Sequence, residues 1–140
     1  MSRYSLKHLS DQSLLRELKS LVSQDCATTA ILVAHVSEVD SRRLYAPAGY
    51  PSMYVYCVQE LHFSEQTAFK RIRVGRLARQ FPAIYGMLAD GRLHLSALVT
   101  LSAHLTPANA DELLAAAVHK SKAQIEQLLA EEIITSLAQL

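Results

Sequence analysis

The chain has 140 residues, half of them hydrophobic, and a formal net charge of only +1. A chain of this length and composition can bury a proper core, so we expect a single domain over 1–140. Its longest apolar stretches, such as 30–34 and 113–118, are far shorter than the roughly 20 residues that a membrane span needs. We therefore expect a soluble protein with no membrane partner.

The N-terminus and the cysteines favour a cytoplasmic protein. Residues 1–5 are mostly polar and lack the apolar core of a secretory signal. Cys26 and Cys57 lie within apolar helical pattern, where a reduced cysteine behaves as a small hydrophobic residue. We assign neither cysteine a functional role.

Charge is distributed unevenly along the sequence. Residues 62–80 contain five basic residues and one acid, a net charge of +4, whereas residues 82–140 have a net charge of −3. The near-neutral total conceals this separation, which is more informative than the total itself. One strongly basic helix and a mildly acidic C-terminal half are expected.

The apolar pattern predicts helices throughout the chain and no strands. The first helix is capped by Ser10 or Asp11. Its apolar face consists of Leu14, Leu15, Leu18, Leu21 and Val22. A second apolar face follows. Either one long, bent helix over about 11–45 or two abutting helices would fit this pattern, and we prefer the long helix. Prolines and a glycine make 46–51 the strongest break in the sequence.

Helices are predicted to continue up to about residue 138. The C-terminal helices, over about 82–138, comprise 82–88, 93–103, 107–119 and a last helix capped by Ser121. Thr106 followed by Pro107 is the pattern of an N-cap and a first helical residue, and this pair predicts the start of the third of these helices.

Residues 52–80 have the pattern of a helix-turn-helix unit. A helix from Pro51 or Ser52 to about residue 61 is followed by the turn His62-Phe63 and by a basic helix, capped by Ser64, that runs to about residue 80. His62 stands where such turns often have glycine. Apolar residues must close the first helix and hold the second against it. The residues that fit these roles are Leu61, Phe63, Ala68 and Ile72.

The basic helix carries the candidate DNA contacts. Its N-terminal part is expected to be exposed and to enter a major groove. That part presents Glu65, Gln66, Thr67, Lys70 and Arg71, among which glutamine can read adenine and a basic side chain can read guanine. Later basic residues are better placed for phosphate contacts, which position a protein without reading sequence. These are Arg73, Arg76 and Arg79. A solvated basic face, or a basic helix packed on an acidic neighbour, would give the same pattern.

No sequence pattern predicts catalysis, a metal site or a cofactor. The six histidines lack the spacing of metal ligands, and there is no glycine-rich phosphate loop, nucleophile motif or cysteine-histidine pair. We therefore predict a protein that is not an enzyme and has no small-molecule substrate.

An ordered series of motifs resembles one protein family. The motifs are AGYPSMYVYC at 48–57, LHFSE at 61–65, AFKRI at 68–72, RQFP at 79–82, DGRLHL at 90–95 and HLTP at 104–107. Over roughly 4–130 they resemble the helical domain that precedes the nuclease domain in bacterial HNH endonuclease proteins of the myxobacterial type. The resemblance implies a DNA-associated helical module, with 64–79 as the DNA-contacting helix. Neither the His-Asn-His ligands nor the zinc-knuckle cysteines of the nuclease domain are present, so no cleavage is implied. A natural short relative and an excised domain both fit this pattern.

Together these observations predict an all-α, compact multi-helix domain with a long N-terminal helix and a central helix-turn-helix-like unit that binds duplex DNA. A homodimer through the long helix is a secondary expectation, because half-sites are commonly read by dimers. The alternative is a protein-interaction, dimerisation or regulatory module that binds no nucleic acid, in which the basic helix meets an acidic surface of another chain.

Overall fold

The computed structural model describes residues 2–140, and these fold into seven α-helices without any strand. The helices are α1 (Asp11–Arg42), α2 (Met53–Gln59), α3 (Glu65–Gln80), α4 (Ala83–Ala89), α5 (Leu95–Leu101), α6 (Ala110–Ala117) and α7 (Lys122–Ala138). The predicted all-α fold with a long N-terminal helix is confirmed. None of the helices in this described part is both long and apolar enough to cross a membrane.

Helix α1 is one continuous helix of 32 residues, which decides between the two alternatives left open by its sequence. The Ser10 hydroxyl caps it by accepting a hydrogen bond from the backbone N–H of Ser13, at 3.1 Å. It contains neither glycine nor proline and ends at Arg43, which adopts a left-handed conformation. Its buried residues all lie between Ala30 and Asp40, in the second half of the helix.

Two hydrophobic clusters hold the other helices against the second half of α1. The larger cluster joins α1 to α3, α4, α5, α6 and α7, with Ile84, Leu98 and Ile125 among its most buried side chains. The smaller cluster joins the end of α1 to α2 and to the first half of α3. Because α3 contributes to both clusters, it is the central helix of the fold.

Most helix starts follow the predicted caps, and one does not. Ser52, Ser64 and Ser121 each accept a hydrogen bond from a backbone N–H in the first turn of α2, α3 and α7. The prediction that a helix begins at Thr106-Pro107 is wrong, since regular helix starts only at Ala110. The hydrogen bonds of the predicted cap are nevertheless formed. The Thr106 hydroxyl accepts a hydrogen bond from the Asn109 backbone N–H at 3.3 Å, and the Asn109 side chain accepts one from the Thr106 backbone N–H at 2.8 Å, so 106–109 form a capped turn ahead of the regular helix.

Candidate nucleic-acid interface

The turn between α2 and α3 has the backbone shape expected of a helix-turn-helix unit. His62 has a φ of 60°, the left-handed conformation for which such turns often use glycine. The Phe63 N–H donates to the Cys57 carbonyl at 3.0 Å, which closes the turn. The Ser64 hydroxyl then caps α3 by accepting from the Thr67 N–H at 3.2 Å. Histidine therefore replaces glycine at this position without loss of the local geometry.

Three of the four residues predicted to hold α3 against α2 are in place. Ala68 and Ile72 are buried in the smaller cluster, and Phe63 packs half-buried against it. The prediction for Leu61 is wrong, because this side chain is exposed. Helix α2 ends at Gln59, so Leu61 lies in the turn beyond the helix and not on its inner face.

One face of α3 is exposed along its whole length. We call it the α3 stripe, and it consists of Glu65, Gln66, Phe69, Arg73, Arg76 and Gln80. At about 100° per residue these positions fall within roughly a third of the helix circumference. The opposite side is anchored in both clusters. This is the arrangement that lets one helix pack on a domain and present its other face to a ligand.

The predicted base-reading residues do not all share this face. Glu65 and Gln66 are on the stripe and exposed, whereas Thr67, Lys70 and Arg71 are half-buried. The expectation that all five are exposed is therefore wrong for these three. They line a groove of about 410 Å³ with residues that include Asp25 of α1 and His94, the residue before α5.

Lys70 and Arg71 differ in how firmly they are held. The Lys70 ammonium donates to the Ser96 hydroxyl at 3.0 Å, a single contact near the edge of the α3 stripe. The Arg71 guanidinium lies over the Phe63 ring, 4.6 Å from its centroid, in a cation–π contact. Its Nε atom is buried and has no hydrogen-bond partner in the described part of the chain. Arg71 therefore packs in the turn of the helix-turn-helix unit, while Lys70 has the freer ammonium group.

Two of the predicted phosphate-contacting residues are bound to one acid of α1. Arg76 donates from Nε and Nη2 to the two carboxylate oxygens of Asp40, at 2.9 and 3.1 Å, and Arg79 approaches the same carboxylate at 3.6 Å. Arg79 also donates to the hydroxyl and to the carbonyl of Ser37. The hydrogen bonds from Arg76 to Asp40 raise the pKa of Arg76 above its usual value. We refer to Asp40, Arg76 and Arg79 as the Asp40 clamp.

Arg73 has no carboxylate partner among residues 2–140 and lies beside an aromatic groove. Its Nε donates to the Ser102 hydroxyl at 3.0 Å. The groove, of about 490 Å³, runs between α2, α3 and the end of α5, and it includes Tyr45, Tyr54 and Phe69 in its lining. Guanidinium groups next to aromatic rings are a combination that nucleic-acid surfaces use for phosphates and bases.

Sequence reasoning missed two parts of this site. Asp40 lies 36 residues before Arg76, and no local pattern relates the two positions. Phe69 is an apolar residue of the basic helix, and its helical spacing from Glu65 and Arg73 places it on the exposed face. An exposed phenylalanine between polar neighbours was the available signal for this second residue.

Comparisons with protein-family models, with curated proteins and with solved structures find no match for this chain. The resemblance to the helical domain of HNH endonucleases therefore depends on the motifs alone. Within residues 2–140 no three histidine, cysteine, aspartate or glutamate side chains are grouped so that they could hold a metal ion.

Proposed function

We propose that this chain is a duplex-DNA-binding module, related to the non-catalytic helical domain of HNH endonucleases, that contacts DNA with the α3 stripe. The observation that supports this most strongly is the placement of α3. The helix with the surplus positive charge is fixed on one side by both hydrophobic clusters and is exposed on the other. A helix in this position, after a short helix and a capped turn, suits entry into a major groove.

The side chains of the α3 stripe and its basic neighbours divide into two roles in this proposal. Gln66, in the exposed first turn of α3, is placed to read a base edge. Lys70 and Arg73 contact phosphates, because each is tied to the protein only by one hydroxyl that a phosphate can replace. Arg76 and Arg79 contribute less to the attraction of phosphates than their formal charges suggest, because Asp40 neutralises part of that charge.

Salt-dependent DNA binding tests this proposal. Fluorescence anisotropy with a random-sequence duplex at two salt concentrations measures the affinity and its salt slope. The variant Lys70→Ala/Arg73→Ala is expected to bind roughly tenfold more weakly and to reduce the salt slope by about 2, or about 1 for each lost phosphate contact. Arg71 is left intact because its packing on Phe63 belongs to the fold.

A matched control removes the same charge elsewhere. Lys120→Ala/Lys122→Ala deletes two exposed lysines near the start of α7, and we expect its affinity to stay near that of the wild type. No binding of the wild type at low salt would overturn the proposal. Equal losses in the two double variants would show that binding follows net charge and not the α3 stripe.

The module is proposed to bind as a homodimer, because two copies place two α3 stripes on one duplex. A second candidate function is a protein-interaction module without DNA binding. The Asp40 clamp favours it, since part of the charge of α3 is already neutralised within the chain. Association with an acidic protein surface that weakens with salt, in the absence of any DNA binding, would support this candidate.

A further inference from the structure

The aromatic groove beside Arg73 has the size and the lining of a ligand site. Its volume of about 490 Å³ lies within the range of roughly 300–1,000 Å³ that is usual for clefts that bind small ligands. The buried apolar side chains that form its floor are Met53, Ile72 and Leu77. Tyr54 and Phe69 lie at its edge and are 40% and 51% exposed. A flat ring that enters the groove can therefore contact both the apolar floor and an aromatic side chain.

The lining of the aromatic groove is also positively charged. Of the residues that the structure describes, it includes Arg73 and Arg76 and no acid. Asp40, which is not part of the lining, neutralises part of the charge of Arg76. Arg73 is exposed, and within residues 2–140 its guanidinium donates only to the Ser102 hydroxyl. Its other N–H groups are therefore available to an anion, and the planar guanidinium suits the oxygen atoms of a phosphate.

A second groove adjoins the aromatic groove at Tyr54 and Phe69. We call it the Gln66 groove, and its volume is about 470 Å³. Its other lining residues are Glu65, Gln66 and Lys70. Because Tyr54 and Phe69 line both grooves, the two rings lie between them. Gln66 and Arg73 are about 10 Å apart along the axis of α3, so at roughly 3.4 Å per stacked nucleotide the two grooves cover about three nucleotides of a strand.

We propose that the two grooves bind unpaired nucleotides of a nucleic-acid strand, with a base against Tyr54 or Phe69 in each groove and a phosphate on Arg73. Stacking of bases on aromatic side chains and contacts of basic groups with the backbone are the two elements of single-strand recognition. In a duplex the neighbouring bases cover both faces of every base, so only an unpaired nucleotide brings a base to these rings. The amide of Gln66 is placed to hydrogen-bond to the edge of the base beside it.

The arrangement of two grooves around one pair of rings favours a nucleic-acid strand over a peptide. A phosphotyrosine side chain also combines a ring with a phosphate, but it would fill one groove and leave the other without a ligand. A nucleic-acid strand has a ring and a phosphate in every unit, which matches two adjoining grooves. This inference deepens the proposed function, because it adds unpaired strands to the ligands of α3. It rests on that proposal only for the presence of a duplex beside the unpaired strand.

Fluorescence anisotropy of a short labelled oligothymidylate with the full chain tests the inference. Tyr54→Ala is expected to weaken binding about five- to tenfold, because one base loses its aromatic partner, whereas Tyr54→Phe keeps the ring and is expected to bind like the wild type. A strand of the same length with abasic sites keeps every phosphate, and we expect it to bind at least about fivefold more weakly. Because Tyr54 is exposed, helix content by circular dichroism should be the same in both variants.

The matched control is Tyr4→Ala, which removes an exposed tyrosine that lines neither groove and is expected to leave strand binding unchanged. Arg73→Ala is expected to reduce the salt slope of strand binding by about 0.7, the value for one phosphate contact with a single strand. Equal affinity for the abasic strand, wild-type affinity of Tyr54→Ala, an unchanged salt slope in Arg73→Ala, or weaker binding by Tyr54→Phe or Tyr4→Ala would each overturn the inference. Binding of a labelled phosphotyrosine peptide but of no strand would overturn it in favour of a protein ligand.

Two further measurements identify the strand and separate this inference from the proposed function. Oligouridylate, tested in parallel, shows whether the strand is DNA or RNA; binding of either one supports the inference, and binding of neither overturns it. Duplex affinity is measured separately with the same variants. Strand binding that depends on Tyr54, without any duplex binding, would refute the proposed function alone. Duplex binding by the wild type and by Tyr54→Ala, without any strand binding, would refute this inference alone.

Discussion

Asp40→Asn is the substitution for which the structure gives the clearest energetic expectation. The Asp40 side chain is only 7% exposed and accepts two hydrogen bonds from Arg76, whose own side chain is 61% exposed. Hydrogen bonds that involve a charged group contribute about 1.5–3 kcal/mol, and asparagine retains only one acceptor oxygen. Because Arg76 can be solvated once its partner is lost, screening keeps the cost near the lower end of that range. We expect a loss of about 2 kcal/mol in the free energy of unfolding.

Urea unfolding followed by circular dichroism measures this loss, and thermal unfolding should show a decrease of roughly 4–8 °C in Tm. The matched control is Glu38→Gln in the same helix, which removes an acid bound to Arg42 at 3.3 Å with both side chains exposed. An exposed pair one turn apart contributes under about 0.5 kcal/mol. Equal stability of the two variants would refute the inference that the Asp40 clamp joins α1 to α3.

Further predictions concern glycines and cysteines. Gly75→Ala is expected to destabilise the protein by about 1 kcal/mol in urea unfolding, because the new Cβ would lie 3.1 Å from the Ser37 Cβ where α1 crosses α3. Gly86→Ala, with open space around the position in α4, should instead stabilise it by about 0.5–1 kcal/mol; the same sign for both substitutions would refute this explanation. In the native protein a thiol reagent should modify Cys26 but not Cys57, because burial raises the pKa of the Cys57 thiol and blocks access to it. Rapid modification of both cysteines would contradict this prediction.

Features determined by neighbouring residues were predictable from the sequence. The starts of α2, α3 and α7 follow from serines whose hydroxyls bond to the next turn, and the continuity of α1 follows from the absence of glycine and proline. The Thr106-Pro107 pattern did indicate a cap, since Thr106 and Asn109 each bond the other's backbone N–H, but it did not give the position at which α6 begins, because 107–109 form a turn and regular helix starts only at Ala110.

The candidate site was only partly predictable, because its charges depend on partners far away in sequence. Spacing within α3 does predict one face with Gln66, Phe69 and Arg73. It does not indicate that Asp40 forms an ion pair with Arg76 and neutralises part of its charge. It also does not indicate that Lys70 and Arg71 lie toward α1 and α5. The sequence count of +4 for residues 62–80 therefore overstates the charge available to a ligand on the α3 stripe.

If the chain binds DNA as proposed, Asp40→Asn is expected to change stability and DNA affinity in opposite directions. If phosphates approach α3, they compete with Asp40 for the guanidinium groups of Arg76 and Arg79. Asp40→Asn then removes a negative charge near the duplex. One unit charge at about 6–10 Å from a phosphate contributes roughly 0.4–0.7 kcal/mol in water, so affinity should rise about two- to threefold at low salt. A variant that unfolds more easily and yet binds DNA more tightly is hard to explain by general damage to the fold. An Asp40→Asn protein with reduced stability and unchanged or weaker binding would instead mean that Arg76 and Arg79 serve only to join α3 to α1, and would confine the DNA contacts to the first three turns of α3.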